Sequence, residues 1–192
     1  MWNGIKYLLI AVVFKINPIV INADIIIDDS FGSPGVLQGP KFKITENLGR
    51  LDGSNLFHSF SEFSLKKGES VTFSAINKIE NVIGRVTGSE ISEIDGIISS
   101  DILGADLYLL NPNGFLFKEN AELNIDGAFV VSAMSKINLG ETGVFNAVNP
   151  QKSVFVTAPP DAFGFLENNP AGAITLIGSS LVTSREINFI AN

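Results

Sequence analysis

The 192-residue chain has no cysteine. Disulfides, thiolate metal sites and cysteine nucleophiles are therefore excluded. A single histidine, His58, leaves little room for imidazole chemistry. Charged residues make up only 17%, against roughly 25% in ordinary soluble domains, and mean hydropathy is positive at +0.30. Such a chain is neither a disordered tail nor a polyelectrolyte. Basic residues are the scarcer sign, 13 against 20 acidic for a net −7, which argues against a nucleic-acid surface. Tyrosine and tryptophan are nearly missing, two and one, beside fifteen phenylalanines. Phenylalanine buries area without needing a polar partner, so these rings read as core and not as sugar- or base-stacking platforms.

Eighteen glycines and eighteen asparagines accompany them, a composition of short strands and tight turns. A chain of this length buries roughly 70% of its unfolded surface and can hold a core without staples. Near the start, Lys6 precedes the apolar run Tyr7 to Phe14, Pro18 breaks any helix, and Ala23 stands before Asp24. The run is far short of the ~20 residues that span a bilayer. Residues 1–23 are expected to be a signal peptide, cleaved after Ala23 and engaging the export machinery. Its removal takes away Lys6 and Lys15 and leaves 11 basic against 20 acidic residues. An exported chain without cysteine can stay unfolded in an oxidising compartment without a covalent loop locking it. That suits passage through a second membrane.

From Gly68 onward one short apolar segment follows another: Val71–Ser74, Val82–Thr87, Ile97–Ser99, Leu107–Leu110, Phe115–Phe117, Ala128–Val131, Val144–Ala147, Val154–Val156 and Ile174–Ile177. Gly, Asn, Asp or Pro punctuates nearly every gap, and no sustained helical period appears, so the chain is expected to be all-β. Partial repeats favour a solenoid over a sandwich. Ile94-Asp95-Gly96-Ile97-Ile98-Ser99 resembles Ile125-Asp126-Gly127 through Ser132, and Gly127 to Asn138 resembles Gly178 to Asn188. Each coil of such a stack buries its side chains only against its neighbours, and repeated asparagines at one corner would form a hydrogen-bonded ladder.

Three motifs stand out. Asn111-Pro112-Asn113-Gly114 satisfies the four positions of a type I turn, between buried strands on either side. Asn55 to Leu65, with Phe57, Phe60, Phe63 and Leu65, matches neither a clean strand nor a long helix and reads as a capping segment. His58 lies there beside Ser59 and Ser61, but neighbours on one strand face opposite ways, so no triad follows. Glu90, Glu93, Asp95 and Asp101 lack the register of a Ca²⁺ loop and serve equally well as solvated turn positions. No catalytic residue, metal site or cofactor is expected.

Four stretches in order carry a resemblance: Asn55 through Phe63, Asn81-Val82-Ile83-Gly84-Arg85-Val86-Thr87-Gly88, Ile94-Asp95-Gly96, and Leu110 through Phe117. Asn149-Pro150-Gln151, Phe163-Gly164-Phe165 and Asn169 to Ile174 continue it. Across residues 24–190 the chain resembles the filamentous-haemagglutinin N-terminal domain, the two-partner-secretion domain of large Gram-negative exoproteins. The resemblance implies a right-handed parallel β-helix over residues 24–192, a single-stranded solenoid with an N-terminal cap and extra-helical β-hairpins. It implies a secretion and targeting module, recognised by the POTRA domains of an outer-membrane β-barrel transporter and nucleating β-helix folding outside the cell. Asn111, Pro112, Asn113, Gly114 and Asn81 are then the transporter-recognition and folding-turn residues. Asn77-Lys78-Ile79-Glu80-Asn81 stands where some members have Asn-Pro-Asn-Leu. Asn55, Phe57, His58, Phe60 and Phe63 form the cap segment. A passenger beyond residue 192 would meet a host or neighbouring-cell surface as an adhesin. The competing readings are direct adhesion by the domain and a pectate-lyase-type enzyme using Glu90, Glu93, Asp95 and Arg85.

Overall fold

The computed structural model describes residues 25–164 and 172–191. The expected leader, residues 1–23, lies outside the described residues. The strands, in chain order, begin with β1 (Ile25–Ile27), β2 (Gly35–Val36), β3 (Lys41–Thr45), β4 (Arg50–Asp52), β5 (Asn55–Phe63) and β6 (Ser70–Ser74). They continue with β7 (Asn81–Val86), β8 (Ser92–Ile94), β9 (Ile97–Ser100), β10 (Asp106–Leu110), β11 (Phe115–Phe117) and β12 (Glu122–Asn124). The last six are β13 (Phe129–Ser132), β14 (Lys136–Leu139), β15 (Gly143–Asn146), β16 (Pro160–Gly164), β17 (Ile174–Leu176) and β18 (Ile187–Ile190). Only two short 3-10 turns interrupt them among the described residues.

Three parallel faces stack into a β-solenoid. The first runs β5, β7, β10, β13, β18, the second β3, β6, β9, β12, and the third β8, β11, β17. Leu65 bridges Ile94 and starts the third face one coil earlier. Register on the first face steps from Leu56 to Val82 to Leu107 to Phe129, all buried. These stacked apolar positions join Phe42, Val71, Phe73, Ile98, Phe115 and Phe117 in one continuous core. Parallel rungs exclude a sandwich of antiparallel layers.

Two additions complete the molecule. At the N-terminal end, β1 pairs antiparallel with the second half of β5, and β4 pairs antiparallel with its first half. Together they cover the β5 edge, which would otherwise offer unpaired backbone. Between β13 and β17, an arm of three antiparallel strands, β14, β15 and β16, leaves the solenoid. It lies over the first face, where Ile137, Leu139 and Phe145 pack on Phe57, Ile83 and Leu110.

The cover differs from the sequence expectation. Asn55–Phe63 is the first-coil strand itself, and β1 and β4 are its cap. Asn55 through Phe60 are buried on both faces, so the alternation that marks a half-exposed strand disappears. The repeats read from sequence are also not the stacked ones. Ile97 belongs to the second face and Phe129 to the first, while Ile187 pairs with Phe129 and Ile137 lies in the arm. An interior rung position asks only for an apolar residue, so local similarity does not report register.

Candidate functional site

The Asn111-Pro112-Asn113-Gly114 turn links β10 on the first face to β11 on the third. The Gly114 N–H donates to the Asn111 carbonyl at 2.9 Å, closing the turn, and the Asn113 N–H donates to Asn111 Oδ1 at 2.9 Å. Asn111 Nδ2 reaches the preceding coil, donating to the Glu90 carbonyl at 3.0 Å and to Ser92 Oγ at 2.9 Å. Asn113 Nδ2 donates to the Gly88 carbonyl at 2.8 Å. The following coil docks from the other side, with the Gly172 N–H on the Pro112 carbonyl and the Phe115 N–H on the Ala173 carbonyl. Gly114 sits at φ +104°, and a Cβ there would lie 2.3 Å from the Ala173 oxygen. The motif is thus a corner staple across three coils, and Asn111 is fully buried.

Asn81 opens β7, and its Nδ2 donates to Asn55 Oδ1 at 2.9 Å, with both residues buried. Asn55 Nδ2 in turn donates to the Val156 and Ala158 carbonyls of the arm segment. The expected asparagine ladder exists over these two coils and continues in register to Asp106. Phe60 and Phe63 point into the main core, while Phe57 points the other way beneath the arm. His58 is fully buried between the Phe60 and Phe73 rings, and neither ring nitrogen makes a well-formed hydrogen bond. It is shut off from water, with the Leu48 backbone as its polar neighbour. Burial pushes its pKa down to about 4, opposed only by the Leu48 backbone.

A polar network that sequence reading missed centres on Arg85, 1% exposed on the outer side of β7. Its Nε donates to Ser59 Oγ at 2.7 Å, Nη1 to the Asn146 carbonyl at 2.6 Å and Ser153 Oγ at 2.7 Å, and Nη2 to Ser30 Oγ at 3.0 Å. Its guanidinium carbon lies 4.4 Å from the Phe145 ring centroid. Ser59 Oγ passes the contact on to Asp28, donating to Oδ2 at 2.6 Å, where Thr87 Oγ1 also donates at 2.8 Å. Burial pushes the Asp28 carboxyl up, but the hydrogen bonds from Ser59, Ser30 and Thr87 outweigh it and hold the pKa below the ordinary value. Desolvation lowers Arg85 to about 10, with Asp28 opposing. A cleft of about 410 Å³ between the cap loop and the arm opens onto this network, lined by Asp29, Phe31, Arg50 and Gln151. The available signal was one cation inside the apolar strand Val82-Ile83-Gly84-Arg85-Val86.

The acidic group does not meet that arginine. Glu90, Glu93 and Asp95 line a separate groove beside Lys67 and Lys118, with Lys118 paired to Glu93. Asp95 is instead bonded by Asn120, whose side chain and backbone hold its pKa low. The Arg85-centred lyase cluster is therefore not assembled. Among the described residues no three His, Asp or Glu side chains form a metal cluster, and no helix is long and apolar enough to cross a membrane.

Comparison with curated proteins and with solved structures finds no match. A family model does match, the TPS secretion domain, over residues 23–191. That span contains the corner staple, the asparagine pair and every coil described above. The chain belongs to the TPS secretion-domain family, the N-terminal two-partner-secretion domains of exoproteins like filamentous haemagglutinin, which are secretion modules served by a partner transporter.

Proposed function

We propose that this domain is read by the POTRA domains of its outer-membrane β-barrel partner while still unfolded, and that it folds outside the cell as the nucleus of a longer β-helix. The leader, residues 1–23, delivers it to the periplasm, and residues 24–192 form the secreted domain of an adhesin-type exoprotein. The observation that supports this reading is the burial of Asn111, whose amide nitrogen is consumed by the preceding coil and whose side-chain oxygen is consumed by Asn113 of its own turn. The folded domain has no Asn111 group left to offer, so a partner that uses the motif meets it before the coils close. Alternating apolar strands of an unfolded chain suit strand addition, where main-chain hydrogen bonds supply affinity. The first coil carries its own cover, β1 and β4, and so folds without exposing a sticky edge. Coils closing outside the membrane keep the chain from sliding back.

The test is a fusion of residues 1–192 to a reporter, expressed with and without the partner barrel. Surface or medium reporter is expected only with the barrel, and equal export in both strains removes the reading. A second arm uses the purified transporter's periplasmic part as bait. Denaturant-diluted chain is expected to bind it and the refolded domain is not. Preferential binding of the folded form overturns recognition before folding.

A further inference from the structure

We propose that Arg85 is a folding lock, a buried cation that makes docking of the N-terminal cap and closure of the arm conditional on each other. Three segments meet on its guanidinium, which itself projects from the second coil: the cap loop through Ser30, the first coil through Ser59, and the arm through the Asn146 carbonyl and Ser153. It makes no ion pair among the described residues. Its counter-charge, Asp28, stands one hydroxyl away through Ser59, and that carboxylate also belongs to the cap loop.

The physical consequence is coupling. While cap and arm are both docked the guanidinium is shut off from water, so each missing acceptor leaves a desolvated donor unpaired and weakens the hold on both segments. If the arm opens, Arg85 loses the Asn146 and Ser153 acceptors and the Phe145 face together. If the cap lifts, it loses Ser30 and the field of Asp28. The Phe31 ring of the cap loop also packs on Phe145 and Phe155 of the arm, but no hydrogen bond joins Ser30 to Ser153 among the described residues, so the polar share of the coupling between cap and arm passes through Arg85. A chain emerging N-terminus first completes this site only when residue 153 arrives. The cap and early coils therefore stay reversible until then. The lock itself is independent of how the transporter reads the chain; only its timing during export rests on that reading.

Hydrogen exchange on the folded chain separates the two. The probes are the Asp28 amide for the cap, bonded to the Ser59 carbonyl, and the Val144 amide for the arm, bonded to the Val154 carbonyl. The Asp106 and Leu107 amides report the coils. Ser153→Ala is expected to speed exchange at Asp28, and Ser30→Ala at Val144, each by about 10-fold or more, with the coil amides unchanged. In an Arg85→Met background the effect of each serine variant on the other segment is expected to fall to about twofold or less, the part that the Phe31 contacts still carry. Cross-effects that are absent with Arg85 present, that persist unchanged in Arg85→Met, or that accelerate the coil amides equally overturn the proposal. Should Arg85→Met fail to fold, the two serine variants and their double mutant in the native background still decide it. A coupling factor of about fivefold or more supports the lock, and independent effects refute it.

Discussion

Replacing His58 by phenylalanine should flatten the acid side of the domain's stability curve. His58 is the chain's one histidine and is fully buried, with a folded pKa of about 4 against 6.5 in an open chain. No charged side chain sets that shift. Asn55, Ser59 and Arg85 on the flanking positions spend their polar groups on the arm and cap side, and the contacts on His58 are Phe60, Phe73 and the backbone of residues 48–49. A base whose folded pKa is depressed leaves the unfolded state as the better proton acceptor between the two values. Stability is therefore fully present above about pH 6.5, falls as pH drops toward 4 and levels off below. The whole window is worth about 3 kcal/mol, and the fall from pH 7.5 to 5 about 2 kcal/mol. In urea that moves the unfolding midpoint down by roughly 0.8 M. Asp28, the buried carboxyl of the cap, is held below its ordinary value and so does not compete with His58 for the interval from pH 6.5 to 5. Urea titrations of the native chain and His58→Phe at closely spaced pH values test this. Parallel curves for the two proteins between pH 6.5 and 5 would refute the reasoning, whatever their absolute stabilities.

Asn111→Ala should cost about 2–3 kcal/mol in urea unfolding, because it strands the Glu90 carbonyl and Ser92 hydroxyl and frees the Asn113 N–H. Gly114→Ala should cost at least about 2 kcal/mol, seen as a lower melting temperature, since the left-handed φ and the Ala173 oxygen both oppose a Cβ. Lys118→Met, by contrast, should change stability by no more than about 0.5 kcal/mol, because its pairing with Glu93 is solvent-exposed. A larger loss on removing Lys118 than on removing Asn111 would contradict the assignment of the corner staple as the structural element and the acidic groove as surface.

Strand content was legible in the sequence because a short rung is a local object. Val71, Phe73 and their polar neighbours alternate, and that alternation reappears as buried and half-buried positions in β6. The Asn111 turn was legible too, since its first bonds, Asn111 to Asn113 and Gly114, lie within four residues. Family membership followed from several such local pieces in order. Burial on two faces was not legible: Asn55–Phe63 is a strand covered by both core and arm, and its periodicity cancels. Nor was stacking register, because Ile137 and Ile187 look alike in sequence and part only when one enters the arm and the other pairs with Phe129. Arg85 marks the same boundary. A charged residue in an apolar strand is visible in one dimension, but its partners lie at Ser30, Ser59, Asn146 and Ser153, and only the folded backbone brings those distant positions to one guanidinium.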